Sequence, residues 1–221
     1  KSTYSLIRSG FPFQPFTPFS GGPGDRDRLR ERFRIEPNDF VCGIIAPFKP
    51  QKGLFHLIEI AVRVIAAAPG PRVIFMICGD GALRPEIEAR LDEKGIRDCF
   101  RLPGFLFDMG EAIDAFDLGV STALWEGLPQ SLVQLRLKKK AAVVSDIPGN
   151  REVIKENQNG FTVPVTDYDT FARRILQLIE NNQERERMEQ FENEDFSPWN
   201  ADFMVEKQQE LYGRLLAKFS R

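Results

Sequence analysis

The chain has 221 residues, 42% of them hydrophobic, enough to bury a full core as one large domain or two small ones. Its formal net charge of −2 lacks the basic excess of a general nucleic-acid binder. Three separated cysteines without CxxC spacing (Cys42, Cys78, Cys99) read as reduced thiols of a reducing compartment, and the single histidine, His56, argues against a histidine-based triad.

The chain begins at Lys1 rather than Met and is expected to be an excised fragment. Its best apolar run, Leu57–Ala68, is interrupted by Glu59 and Arg63 and falls well short of the ~20 apolar residues of a membrane span. Residues 1–38 read as a lead: a Phe/Pro/Gly-rich linker over Gly10–Gly24, then a charged helical stretch over Asp25–Arg34. From Phe40 onward short apolar runs alternate with helical patterns. Strands are predicted at Phe40–Ala46, Arg72–Cys78, Cys99–Leu102, Leu118–Ser121, Ala141–Ser145 and Gly160–Pro164. Helices are predicted between them at Gly53–Ala68, Leu83–Lys94, Met109–Ala115 and Ser131–Lys138, and after them at Tyr168–Asn181, Glu184–Glu194 and Asn200–Lys218. The spacing predicts one α/β domain: a core over 39–182 built on a parallel sheet with helices on both faces, followed by C-terminal helices over 183–221. Ligands of such sheets bind beyond the carboxyl ends of the strands. The loops Pro47–Gly53, Gly79–Gly81, Gly104–Asp108, Leu124–Pro129 and Asp146–Arg151 all fall at such ends.

The most informative stretch is Ser121-Thr-Ala-Leu-Trp-Glu-Gly-Leu-Pro129, running into Gln130-Ser-Leu-Val-Gln134. A strand-to-helix turn of this kind aims free backbone N–H groups and a positive helix end at the cleft, and Glu126 beside it can accept hydrogen bonds from hydroxyls. Phosphate plus hydroxyls points to a nucleotide-sugar. Lys49-Pro-Gln-Lys52-Gly53 places two lysines at a helix N-terminus and reads either as an anion site or as a solvated loop. Gly79-Asp-Gly81 allows close backbone approach to a ligand, but it is not a dinucleotide fingerprint because Arg84 and Pro85 follow where a third glycine is needed. Asp146–Glu152 reads equally as a plain turn. The basic run Arg136, Lys138, Lys139, Lys140 reads as a solvated helix end, with contact to an anionic membrane surface as the alternative.

Taken in order, Arg8-Ser-Gly-Phe11, Lys-Pro-Gln-Lys-Gly, Gly-Asp-Gly, Glu-Gly-Leu-Pro, Gly-Asn-Arg-Glu-Val and Asn-Gly-Phe-Thr-Val-Pro resemble the carboxyl-terminal half of family 4 (group 1) glycosyltransferases across nearly the whole chain. That resemblance implies one Rossmann-like half of a GT-B fold, binding a nucleoside diphosphate sugar in its UDP or GDP form. It implies transfer that retains anomeric configuration without a required metal or cofactor. The family's Glu-x(7)-Glu signature matches Glu126, implied to touch the donor sugar, and Gln134, implied to face the ribose. Its phosphate-clamping lysine matches Lys52. The backbone of Gly127, Leu128, Pro129, Ser131 and Leu132 is implied to lie against sugar and diphosphate. Gly79 and Gly81 are implied to line the same donor site, and Gly104 and Phe105 to hold the base.

The chain departs from the pattern at two places. Pro47 stands where many members have a phosphate-binding Arg, with Lys49 two positions on as a charge but not a fork. Gln134 stands at the second signature Glu, an amide that still bonds hydroxyls. The implied partners are the nucleotide-sugar, an N-terminal acceptor domain absent from this chain, and a glycan or lipid acceptor. The implied workplace is the cytoplasm or the cytoplasmic face of a membrane. Without its other half the chain is expected to be inactive. The competing readings are a catalytically silent nucleotide-sugar module (from Pro47 and Gln134), an epimerase of the same architecture and, weakest, an NAD-dependent oxidoreductase.

Overall fold

A computed structural model describes residues 5–16 and 23–219; residues 17–22 of the expected Gly10–Gly24 linker lie outside these. The chain divides into two compact units, Phe16–Phe191 and a smaller one drawn from Lys1–Pro15 and Glu192–Arg221.

In the larger unit the elements run α1 (Pro23–Arg32), β1 (Phe40–Ile45), α2 (Leu54–Ala67), β2 (Val73–Cys78), α3 (Arg84–Glu93), β3 (Phe100–Gly104), α4 (Met109–Asp114), β4 (Leu118–Ser121), α5 (Gln130–Leu137), β5 (Ala142–Ser145), α6 (Pro148–Val153), β6 (Gly160–Val163), α7 (Tyr168–Glu180) and α8 (Asn182–Glu189). The strands form one sheet, β3-β2-β1-β4-β5-β6, with every pair parallel. This is the expected Rossmann-like architecture. The chain builds outward from β1 to β3, then returns to the other side of β1 as β4, so the strand order reverses between β1 and β4.

Apolar continuity makes the strands. β2 is Val-Ile-Phe-Met-Ile-Cys, buried along its whole length as a strand covered on both faces must be. On one face Phe40, Cys42 and Ile44 of β1 join Val73, Phe75 and Ile77 of β2 beneath α2 and α7. α2 meets them with Leu54, Leu57, Ile58, Ala61 and Val64, the stripe that helical periodicity dictates.

Charge closes the amino edge of the sheet. Asp117 sits just before β4, and its carboxylate accepts from the Val41 N–H of β1 at 2.7 Å, from Arg30 at 2.6 Å and from Arg26 at 2.7 Å. Burial alone would raise this carboxyl, but Arg26 and Arg30 more than offset it and hold it below the usual range.

The basic run after α5 corrects its sequence reading. It is not a solvated helix end. Arg136 is fully buried and donates to the Lys140 carbonyl at 2.6 Å and the Met188 carbonyl at 3.1 Å. Lys138 is buried against Asp114 at 2.7 Å, and Lys140 donates to the Phe116 carbonyl at 2.8 Å. With these three cations turned inward, the run offers little to a membrane surface. A second correction is α6, which occupies a segment read as a turn. A third is Cys99, which ends a 3-10 turn (Arg97–Cys99) instead of opening β3.

The smaller unit contains α9 (Ala201–Phe219), and an isolated parallel bridge pairs Phe11 with Asn200. Phe11 donates to Trp199 O at 2.9 Å and accepts from Ala201 N at 3.1 Å, while Arg8 stacks 5.4 Å from the Trp199 ring centre.

Burial, with Arg26 nearby, pushes the Lys140 ammonium down from 10.5 to about 8, despite the opposing pull of Glu189, Asp117 and Asp114. The unfolded chain keeps that proton to higher pH, so between about pH 8 and 10 the folded state binds fewer protons and gains stability as the pH rises. Urea denaturation across this window should show that gain in the native chain and lose it in Lys140→Met. Parallel pH profiles for the two would contradict the assignment.

Candidate functional site

Because the strands are all parallel, the loops that follow them leave the sheet at one edge. Hydrogen bonds and close backbone contacts lace these loops into a continuous rim.

The centre of the rim lies at the strand-order reversal. After β1, a 3-10 turn over Pro50–Lys52 ends at Gly53 with φ 60°, a left-handed conformation suited to glycine. A Cβ on Gly53 would lie 2.1 Å from the Thr122 carbonyl oxygen, so the β1 and β4 loops touch backbone to backbone. Leu124 N donates to Gln51 O at 2.8 Å, Thr122 Oγ1 to Lys52 O at 3.0 Å, and Gln51 Nε2 to Trp125 O at 2.8 Å. On this scaffold Lys52 Nζ forms an ion pair and hydrogen bond with Glu126 Oε1, the two side chains being 16% and 10% exposed. The two residues singled out as catalytic thus meet directly, 74 positions apart in sequence.

The β5 loop supports Glu126 from the other side. A Cβ on Gly149 would lie 2.5 Å from Glu126 O. Ser145 Oγ donates to Ala123 O at 2.5 Å, and Asn150 Nδ2 donates to Ser145 O at 2.9 Å and to Ser145 Oγ at 3.1 Å. Sequence reasoning missed Ser145 and Asn150 as positioning residues. The signal was a small polar residue closing a buried strand, with an amide five positions on.

The Gly127–Leu132 segment has fewer donors than its length suggests. Pro129 carries no N–H, Gln130 N is spent on Leu128 O at 2.9 Å, and Leu132 N on Pro129 O at 2.9 Å. Among the described residues, the N–H groups of Gly127, Leu128 and Ser131 have no acceptor, and these are the ones open to an anion ahead of α5. Leu132 and Pro129 bury their side chains. Gln134 lies half-buried on the second turn of α5, and Lys49 and Pro47 are exposed in the β1 loop.

On the far side, Phe48 N donates to Asp80 O at 2.9 Å and Gly79 N to Gly104 O at 2.9 Å, tying the ends of β1, β2 and β3 together. The Gly81 amide and Arg84 hold the Asp80 carboxyl below its usual range. Phe105 stands 70% exposed just past Gly104, edge-to-face with Phe107 at 5.5 Å. His56 lies outside the rim, bonded to Tyr168 Oη at 2.8 Å. Among the described residues, no group of three or more His, Cys, Asp and Glu side chains is placed to hold a metal ion.

The rim thus sets a Lys–Glu pair and open amides at the strand-order reversal. Residues 25–195 match the family described as "Glycosyl transferases group 1", to which the chain belongs. It is 30% identical over 176 residues to EpsD of Bacillus subtilis strain 168, assigned as a glycosyltransferase, covering 80% of this chain and 45% of that protein. It is 25% identical over 210 residues to the UDP-Gal:alpha-D-GlcNAc-diphosphoundecaprenol alpha-1,3-galactosyltransferase of Escherichia coli, covering 94% of this chain and 53% of the relative. The crystal structure of HepE from Anabaena, in complex with UDP and glucose, shares the fold at a TM-score of 0.83 and 21% identity, covering 95% of this chain and 57% of that one. The chain thus spans about half the length of the curated relatives it matches.

Gly53→Ala tests the scaffold without touching the ion pair's own side chains. A left-handed non-glycine residue costs about 1–2 kcal/mol, and the contact with Thr122 O adds to it. Chemical denaturation should show a loss of ~2 kcal/mol or more. An unchanged midpoint would mean that the two loops are not locked together.

Proposed function

We propose that this chain is the donor-binding half of a retaining glycosyltransferase, holding a nucleoside diphosphate sugar at the rim between β1 and β4. The observation that carries the reading is the Lys52–Glu126 pair. A cation and a carboxylate that neutralise each other at a strand-order reversal are the two groups a sugar diphosphate needs, one for phosphate and one for hydroxyls. On donor binding, a diphosphate oxygen takes the place of Glu126 as the partner of Lys52. The released carboxylate accepts from donor hydroxyls. The open N–H groups of Gly127, Leu128 and Ser131 and the positive end of α5 add to the phosphate site, and Lys49 supplies charge from the same loop as Lys52.

Glycosidic cleavage gathers negative charge on the diphosphate, and preorganised charge at the leaving group is commonly the largest catalytic term. Lys52 carries that role. Glu126 positions the donor, since a lone carboxylate does not make the paired acids of a hydrolase. The base lies toward Gly104 and Phe105, whose ring is free to stack, and Gln134 bonds the ribose as an amide. UDP is favoured over GDP by the names of two similar proteins: the E. coli relative uses UDP-Gal, and the Anabaena neighbour was crystallised with UDP.

The acceptor site belongs to the part of the protein beyond this chain, and the acceptor is a growing glycan or a glycolipid. No helix among the described residues is long and apolar enough to cross a membrane. We place the enzyme in the cytoplasm or at its membrane face.

Calorimetric titration of this chain with UDP, GDP and ADP tests the reading. One diphosphate, UDP by this account, should bind in the micromolar to low-millimolar range, and Lys52→Ala should weaken it about tenfold through loss of one charge-assisted contact. Glu126→Gln, which frees Lys52 from its competitor, should bind UDP at least as well as the native chain yet lose preference for UDP-sugar over UDP. Native UDP affinity in Lys52→Ala would overturn the assignment.

A further inference from the structure

A second concentration of positive charge lies at the opposite edge of the sheet from the rim. β3 is an edge strand, and its pairing with β2 begins at Phe75–Phe100, so Val73 and Ile74 run past the start of β3 and leave a notch at that corner. The notch opens into a cavity of about 460 Å³ lined by Arg34, Arg72, Arg97, Asp98 and Arg101, with Leu102 among its apolar walls. Four arginines and one acidic residue therefore line one space.

The pairing of these arginines shows how much charge remains for a ligand. Arg72 is held by Asp39 through bonds of 2.9 and 2.6 Å. Arg97 reaches Glu88 only at 3.9 Å and donates to the Phe100 carbonyl at 3.5 Å. Arg101 spends its donors on carbonyls: Arg34 O at 2.9 and 2.7 Å, Asp98 O at 2.8 Å and Phe100 O at 3.1 Å. Carbonyls fix the guanidinium in place without cancelling its charge, so Arg101 is a positioned cation with no ion-pair partner among the described residues. Burial and the nearness of Arg72 both disfavour that charge, which an incoming anion would relieve. Arg34, whose backbone oxygen Arg101 grips, lines the same cavity.

We propose that this notch is a phosphate-binding site, distinct from the donor rim, that takes a phosphate monoester or diphosphate group. Positive charge gathered on one pocket suits the several negative oxygens of such a group better than a single carboxylate. The group arrives either on a small soluble molecule or as the headgroup of an acidic lipid, and the experiment separates the two sources.

Amide NMR of the chain titrated with inorganic pyrophosphate is the test. Residues 97–102 should shift and saturate in the millimolar range, as a set separate from any shifts at Lys52 and Gly127. In the double variant Arg34→Gln/Arg97→Gln, which leaves the contacts of Arg72 with Asp39 and of Arg101 with its carbonyls intact, the affinity read at 97–102 should fall about tenfold or more, with the rim shifts unchanged. Sedimentation with vesicles of phosphatidylcholine, with and without phosphatidic acid, then assigns the source. Capture by phosphatidic acid that the double variant loses identifies a lipid headgroup; pyrophosphate saturation without capture identifies a soluble phosphate. No saturating shift at 97–102 and no capture would overturn the site. So would pyrophosphate binding of equal strength in the double variant.

Discussion

β1 and β4 pair over only Cys42–Leu118 and Gly43–Gly119, whereas β1 and β2 pair along six positions from Phe40–Val73 to Ile45–Cys78. This short seam is where the strand order reverses, and a seam with so few ladder positions needs help from side chains. Asp117 supplies it at the amino edge by joining the base of β4 to the Val41 amide and to two arginines of α1. Lys52 and Glu126 supply it at the carboxyl edge by joining the β1 loop to the β4 loop. The candidate site thus also helps join β1 to β4.

The ion pairs divide by depth. Lys138–Asp114 is nearly sealed, with side chains 6% and 8% exposed, and breaking such a pair by removing one partner costs about 3–5 kcal/mol. Lys52–Glu126 is wetter, with side chains 16% and 10% exposed, and in the proposed function a phosphate takes the place of the carboxylate and sugar hydroxyls that of the ammonium. On the proposed reading each group keeps a hydrogen-bond partner through the exchange, which separates a site that opens from a strut that does not. The neighbouring contacts Gln51–Trp125 and Ser145–Ala123 run through backbone carbonyls, so the loops stay laced when the pair parts.

The strands and most helices were legible in the sequence because burial on two faces leaves continuous apolar runs and burial on one leaves a helical stripe. Leu118–Ser121 fell where it was read, and the other boundaries moved by a residue or two at most of their ends. α6 escaped notice because six residues opening with Pro-Gly carry turn chemistry and no stripe. The basic run was misread for a different reason. Arg136, Lys138 and Lys140 look solvated in a local window, and only partners 24 to 52 residues away, in Asp114, Phe116 and Met188, make them interior. The resemblance named Lys52 and Glu126 separately. Their meeting across 74 residues, and the support from Ser145 and Asn150, are consequences of loop convergence that spacing does not encode.

In the proposed function Lys52 changes partner when a donor binds. A crystal structure of this chain with UDP bound tests it most directly. The account predicts Lys52 Nζ at about 2.7–2.9 Å from a diphosphate oxygen and withdrawn from Glu126, with the Gly127, Leu128 and Ser131 amides turned toward the same group. UDP bound with the Lys52–Glu126 pair intact, or seated away from the β1 and β4 loops, would contradict it.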